Sequence, residues 1–144
     1  MSIIKAIEKS FKDKESRKWD TLYWAFDIHG TILKPNYQRG KTPTEFYPYA
    51  KESLQLITSC PDIVCVLYTC SHQNEIDEYI KLFEEHNIKF KYINENPDVP
   101  TDINGYGCYD KKFYMNVLFE DKAGFSEEDW VNVLEYMKEK LNTK

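Results

Sequence analysis

Acidic side chains directly follow two apolar runs of this sequence. Asp27 ends the first run and is followed by His29 and Thr31, whereas Glu120 and Asp121 end a later run. Short apolar runs bounded by polar residues are typical of buried strands. Because ligands of open α/β sheets bind at the carboxyl ends of the strands, we expect these carboxylates to meet at one edge. The pattern therefore predicts that Asp27 takes part in chemistry.

Hydroxyl groups and a lysine complete the polar groups near predicted strand ends. Thr69 and Ser71 follow the apolar run 63–68, and Lys112 precedes the last acidic pair. Mg²⁺ takes oxygen ligands, and lysine and hydroxyl groups hold phosphoryl oxygens while charge develops on them. The combination predicts a site for Mg²⁺ and a phosphorylated substrate. Ser71 is better explained as the N-cap of the next helix, and Thr69 could also be a cap.

Helical and strand patterns alternate along most of the chain, which predicts a parallel sheet with right-handed crossovers. The fold class is therefore a three-layer α/β/α sandwich. We expect strands at residues 21–28, 63–68, 90–93 and 114–119, and helices at 3–18, 49–59, 74–86 and from Ser126 onward. Proline- and glycine-rich residues 33–48 predict a short flap, and residues 94–109 predict a loop.

Composition indicates one globular domain. The chain has 144 residues, 42% of them hydrophobic, and a net charge of −5, which does not favour broad nucleic-acid binding. We expect residues 1–144 to form a single domain, with an amphipathic helix within residues 1–20 packed against it. The four cysteines form no C-x-x-C pair, and no run has transmembrane length. These features predict a reduced, cytoplasmic protein without a membrane partner. The sequence predicts no oligomeric state.

Four short motifs resemble those of the haloacid dehalogenase superfamily, and they occur in the same order. Residues 27–31 resemble the first motif, Asp-x-Asp-x-Thr after an apolar strand, and residues 66–69 resemble the second. Lys112 resembles the third motif, and residues 118–121 resemble the fourth. The resemblance covers about residues 21–121. It implies a Rossmann-like sheet and a phosphatase, a phosphoric monoester hydrolase that uses Mg²⁺.

The resemblance implies a role for each matching side chain that handles phosphate. Asp27 would be the nucleophile that forms an aspartyl-phosphate, which water then hydrolyses. Thr69 would hydrogen-bond a phosphoryl oxygen, and Lys112 would neutralise charge on the nucleophile and the phosphate. Lys111 is an alternative to Lys112, which we prefer because of its offset from the following strand.

The same resemblance implies a set of metal ligands. Asp27 would bind Mg²⁺ through its carboxylate, and His29 would bind it through the backbone carbonyl. Glu120 would be a direct ligand, one methylene longer than the usual aspartate, and Asp121 would support it directly or through water.

His29 departs from the family pattern, which has an aspartate as general acid/base at this position. Histidine can do this work near neutrality, because its ordinary pKa of about 6.5 allows both proton donation and acceptance. A cationic histidine would also weaken metal binding. The alternatives are therefore a working phosphatase, a catalytically impaired binding or regulatory protein, and a phosphotransferase.

The gaps between the motifs hold no large cap domain. Residues 32–65 accommodate a flap and one helix, and residues 70–111 accommodate one helix, one strand and a loop. Similar capless members have an open site and tend to act on large substrates. The substrate is therefore predicted to be a phosphorylated macromolecule, such as a phosphoprotein or a nucleic-acid end, or a nucleotide.

Overall fold

The computed structural model describes residues 2–35, 42–101, 107–109 and 112–142. All the helices and strands expected in these residues are present, and several strands are shorter than predicted. The elements are α1 Ser2–Arg17, β1 Leu22–Phe26, α2 Ala50–Thr58, β2 Ile63–Leu67, α3 Gln73–Glu85, β3 Tyr92–Ile93, β4 Val117–Phe119, a 3₁₀ turn Asp121–Ala123, and α4 Asp129–Asn142.

The strands of the described residues form one parallel sheet in the order β3-β2-β1-β4. This is the predicted three-layer α/β sandwich with a Rossmann-like sheet, and no cap domain is present in the described residues. Phe26 is opposite Leu67 on β2 and Phe119 on β4. Because the register aligns these last strand residues, the side chains that follow them, including Asp27 and Glu120, lie side by side.

An aromatic cluster forms the core beneath the carboxyl ends of the strands. The Phe26 and Phe119 rings stack with their centroids 4.4 Å apart, and the Trp130 ring of α4 lies parallel to Phe119 at 5.9 Å. All three side chains are fully buried. Such rings bury large apolar areas in defined geometries, so the cluster supplies a rigid base for the loops above it.

The predicted cap at Ser126 is present, although α4 begins a few residues later. The Ser126 N–H donates to the Asp129 carboxylate at 2.9 Å, and the Ser126 hydroxyl accepts from the Glu128 N–H at 3.4 Å. The Ser126 hydroxyl thus caps the turn that precedes the regular helix.

The predicted flap is short and attached at both ends. Lys34 and Glu45 pair through their side chains at 2.7 Å and also through a backbone hydrogen bond. The Thr42 hydroxyl donates to Glu78 on α3. Residues 36–41 of the flap lie outside the described residues.

None of the helices in the described residues is long and apolar enough to cross a membrane.

Candidate active site

Three carboxylates gather at the carboxyl edge of β1 and β4. Asp27, Glu120 and Asp121 each offer an oxygen, and these oxygens all lie within 4.8 Å of one another. The parallel pairing of β1 with β4 produces this proximity, as expected from the sequence. An all-oxygen donor set of this kind suits a hard divalent cation.

The electrostatics of the cluster also suit a cation. The pKa of Asp27 is raised to about 6, mainly by burial and also by the neighbouring Glu120 and Asp121 charges, against hydrogen bonds from the Ile28 N–H and Thr31 that lower it. A bound cation would remove the repulsion between these carboxylates. The residues present therefore fit a divalent metal ion.

Thr31 hydrogen-bonds both to Asp27 and to the segment that carries Asp121. Its hydroxyl donates to Asp27 Oδ2 at 3.4 Å and accepts the Asp121 N–H at 3.1 Å. Its carbonyl accepts the indole N–H of Trp130 at 2.7 Å, and its side chain is fully buried. The turn behind Asp27 is thus anchored to the aromatic core.

Gly30 leaves the space that Asp121 occupies. Its φ is +78°, a left-handed conformation, and a Cβ at this position would lie 2.6 Å from Asp121 Oδ2. The backbone conformation and the close approach of a carboxylate therefore both favour glycine at this position.

His29, two residues after Asp27, contacts a buried tyrosine of α3. Its Nε2 lies 2.5 Å from Tyr79 Oη, and the two rings meet edge to face with centroids 5.4 Å apart. Tyr79 is 1% exposed, and burial raises its pKa to about 12, so it is a neutral phenol at pH 7. The phenol holds the imidazole in one orientation. Tyr79 was not a predicted site residue, because its place on the apolar stripe of α3 indicates packing.

Thr69 is held at the end of β2 by an asparagine that the sequence analysis missed. The Asn94 side chain accepts the Thr69 N–H and donates to the Thr69 carbonyl, each at 2.8 Å. Asn94 adopts a left-handed φ of 55° just after β3, a conformation that asparagine tolerates better than most residues. An asparagine directly after a predicted strand was the available signal.

The prediction that Ser71 caps α3 is wrong. The N-cap is His72, whose N–H donates to the Glu75 carboxylate at 3.0 Å. The Ser71 hydroxyl instead lies 2.9 Å from the Thr69 hydroxyl. α3 begins one residue later than a Ser71 cap requires. The Ser71 side chain therefore does not cap the helix and lies beside Thr69.

The three carboxylates, His29 and the hydroxyl residues Thr69 and Ser71 line one open cavity of about 660 Å³. The structure brings five predicted side chains together there, and adds a lysine that was not predicted, Lys122. The residues lining the cavity include Asp27, His29, Thr69, Glu120, Asp121, Ser71, Glu75 and Lys122.

Lys112 is not among the described residues that line this cavity. It is exposed and lines a neighbouring cavity of about 710 Å³, which shares Tyr68 and Thr69 with the first. The strand predicted to begin at residue 114 begins at Val117, so Lys112 belongs to an irregular segment whose direction the sheet does not set. Lys111 lies outside the described residues.

Comparisons with known proteins support the fold. No protein-family model matches the chain, and no curated protein matches it. The structure is similar to that of a conserved protein from Bacteroides thetaiotaomicron, with a TM-score of 0.61 and 25% identity over 83% of this chain and 92% of the other. The description of that protein names no activity, so the similarity bears on the architecture alone.

Proposed function

We propose that the protein is a Mg²⁺-dependent phosphomonoester hydrolase of the haloacid dehalogenase superfamily, acting through an aspartyl-phosphate on Asp27. The observation that carries the proposal is the convergence of three carboxylates, an imidazole and the Thr69 hydroxyl on one open cavity. The resemblance of residues 27–31, 66–69 and 118–121 to three motifs of this superfamily supports it. The cysteine spacing, which suits no disulfide framework, supports a cytoplasmic location.

Asp27, Glu120 and Asp121 would hold the metal ion. When bound, Mg²⁺ would neutralise these carboxylates and the charge of the phosphoryl oxygens. Because burial and the charges of Glu120 and Asp121 raise the pKa of Asp27, the ion would also help to keep the Asp27 carboxylate ionised, and thus nucleophilic, at neutral pH.

In the first step, an Asp27 carboxylate oxygen attacks phosphorus, and the bond from phosphorus to the leaving oxygen breaks. His29 in its protonated form donates a proton to that oxygen, so the leaving group departs as a neutral alcohol. The Thr69 hydroxyl donates to a phosphoryl oxygen. Lys122, which lines the cavity, supplies the positive charge that the family resemblance implies for Lys112.

In the second step, water attacks the phosphorus of the aspartyl-phosphate, and the bond to Asp27 breaks. His29, now neutral, accepts a proton from the water, which restores both side chains. Tyr79 keeps the imidazole in place through both proton transfers. The open cavity admits a phosphorylated macromolecule or a nucleotide.

The test is Mg²⁺-dependent hydrolysis of an aryl phosphate by the wild type, Asp27→Asn, His29→Ala and His29→Asp. We expect Asp27→Asn to abolish activity and His29→Ala to reduce kcat by about 10²–10⁴-fold, the usual size of general acid–base catalysis. Asp20→Asn, a matched charge change at an exposed position, should retain full activity.

The same assay distinguishes the alternatives. An inactive wild type with an active His29→Asp variant would show that the native chain is an impaired binding or regulatory protein. Transfer of the phosphoryl group to an added alcohol in preference to water would show a phosphotransferase.

A further inference from the structure

A second cavity adjoins the proposed phosphate site. Its volume of about 710 Å³ is within the range of small-ligand pockets, and it shares Tyr68 and Thr69 with the first cavity. Thr69 is the proposed ligand of a phosphoryl oxygen. A group attached to the phosphate can therefore pass across Tyr68 and Thr69 from one cavity into the other.

Four aromatic side chains line the second cavity in the part of the chain that the structure describes. Tyr68 and Phe113 meet edge to face with centroids 5.9 Å apart, and Tyr109 and Tyr114 do so at 5.6 Å. Tyr68 is 42% exposed, one of the most exposed large hydrophobic side chains described. Edge-to-face pairs hold the rings in place and leave faces on which a flat ring can stack.

Asn94 and Lys112 are polar residues that line this cavity, and they differ in their hydrogen bonds. The Asn94 amide makes two hydrogen bonds to the Thr69 backbone, which use one of its donors and one of its acceptor sites. The exposed Lys112 lines the cavity and carries three N–H donors. The cavity thus combines stacking surfaces with a cationic donor that suits ring oxygen or nitrogen acceptors.

We propose that this cavity binds the base of a nucleoside 5′-monophosphate whose phosphate lies at Asp27. This inference rests on the proposed function and specifies its substrate class. In a nucleotide the sugar separates the phosphate from the base, so the two groups can lie in adjoining cavities. In phosphotyrosine the ring is bonded directly to the ester oxygen and would therefore lie closer to Asp27. Stacking on Tyr68 and Phe113, with Lys112 near the base edge, accounts for a preference for nucleotides.

The experiment compares kcat/KM for AMP with kcat/KM for ribose 5-phosphate, which has the same phosphate and sugar but no base. Stacking on one aromatic side chain supports a preference of about 10-fold or more for AMP. Tyr68→Ala and Phe113→Leu should each lower the ratio of the two values toward one. Tyr49→Ala removes a comparably exposed tyrosine outside both cavities and should leave the ratio unchanged. Using a ratio cancels any general loss of active protein.

Several results would overturn the inference. One is a wild-type ratio near one, and another is a ratio that neither cavity variant alters. A third is a higher kcat/KM for phosphotyrosine than for AMP, since this would place the aromatic ring in the first cavity.

Failure of the proposed function is separable from failure of this inference. If no phosphate ester is hydrolysed, calorimetric titration with AMP and ribose 5-phosphate in the presence of Mg²⁺ tests the base site alone. Binding of AMP about 10-fold tighter, weakened by Tyr68→Ala, would support the base site. Equal binding of the two ligands, or none, would overturn it.

Discussion

Replacing Asp27 with asparagine should stabilise the metal-free protein while removing its response to metal. The side chain keeps its shape and can still accept the Thr31 hydrogen bond, but it loses its negative charge. In the wild type this charge is partly buried beside Glu120 and Asp121. The neutral asparagine removes the unfavourable free energy of holding this charge beside two other carboxylates.

The pKa of Asp27 gives the size and the sign of this change in the free energy of unfolding. Its value rises from 3.8 to about 6 on folding, mainly through burial and then through its acidic neighbours. Because the folded state holds this proton more tightly, the wild type loses stability as pH rises from about 4 through 6. The full shift corresponds to roughly 3 kcal/mol, and solvent screening of this partly exposed group reduces that to about 1–2 kcal/mol.

Urea unfolding at pH 7.5 and at pH 4, with chelator present, measures the effect. We expect Asp27→Asn to exceed the wild type by about 1–2 kcal/mol in free energy of unfolding at pH 7.5, and by little at pH 4. Asp20→Asn should show no such pH-dependent gain. Mg²⁺ should stabilise the wild type by an amount that grows with concentration, about 2.7 kcal/mol at 100 times its Kd, and stabilise Asp27→Asn far less. A variant less stable than the wild type at both pH values would refute the reasoning.

Three further substitutions test how the site is supported. Gly30→Ala should destabilise the protein by roughly 1–3 kcal/mol, because of its left-handed φ and the clash with a cluster carboxylate, and should weaken Mg²⁺ binding in calorimetric titration. Tyr79→Phe removes the hydroxyl that orients His29, so kcat should fall about 10-fold with KM little changed; an equal rise in KM would contradict this role. Asn94→Ala leaves two backbone groups of Thr69 without their partners, and should cost about 1–3 kcal/mol in urea unfolding, with a raised KM for aryl phosphate.

The sheet and its acidic edge were predictable because they depend on local patterns. Continuous apolar runs identify buried parallel strands, and parallel pairing brings their carboxyl ends to one edge. The proximity of Asp27 to Glu120 and Asp121 follows from these two facts alone. Strand ends were less predictable: residues 114–116 resemble a strand in sequence but lie outside β4, which begins at Val117.

The supporting residues could not be predicted because their roles depend on tertiary contacts. Tyr79 occupies an apolar helical position, and nothing local shows that its hydroxyl contacts His29 fifty residues earlier in the chain. Asn94 resembles an ordinary loop residue until β3 pairs with β2 and brings it to Thr69. The role of Lys112 was predicted from its separation in sequence from the following strand. Because the segment between Lys112 and β4 is irregular, that separation does not fix where the side chain lies.

The most direct test of the central proposal is chemical trapping of the Asp27 adduct. Turnover of an aryl phosphate is quenched with borohydride, which reduces an aspartyl-phosphate to homoserine, and peptide masses identify the altered residue. An aryl leaving group needs little proton donation from His29, whereas the attacking water still needs a proton acceptor, so His29→Ala should accumulate more of the adduct than the wild type. We expect homoserine at position 27 in both proteins and more of it in His29→Ala. Substrate consumption with an unaltered Asp27 in both proteins would contradict the account.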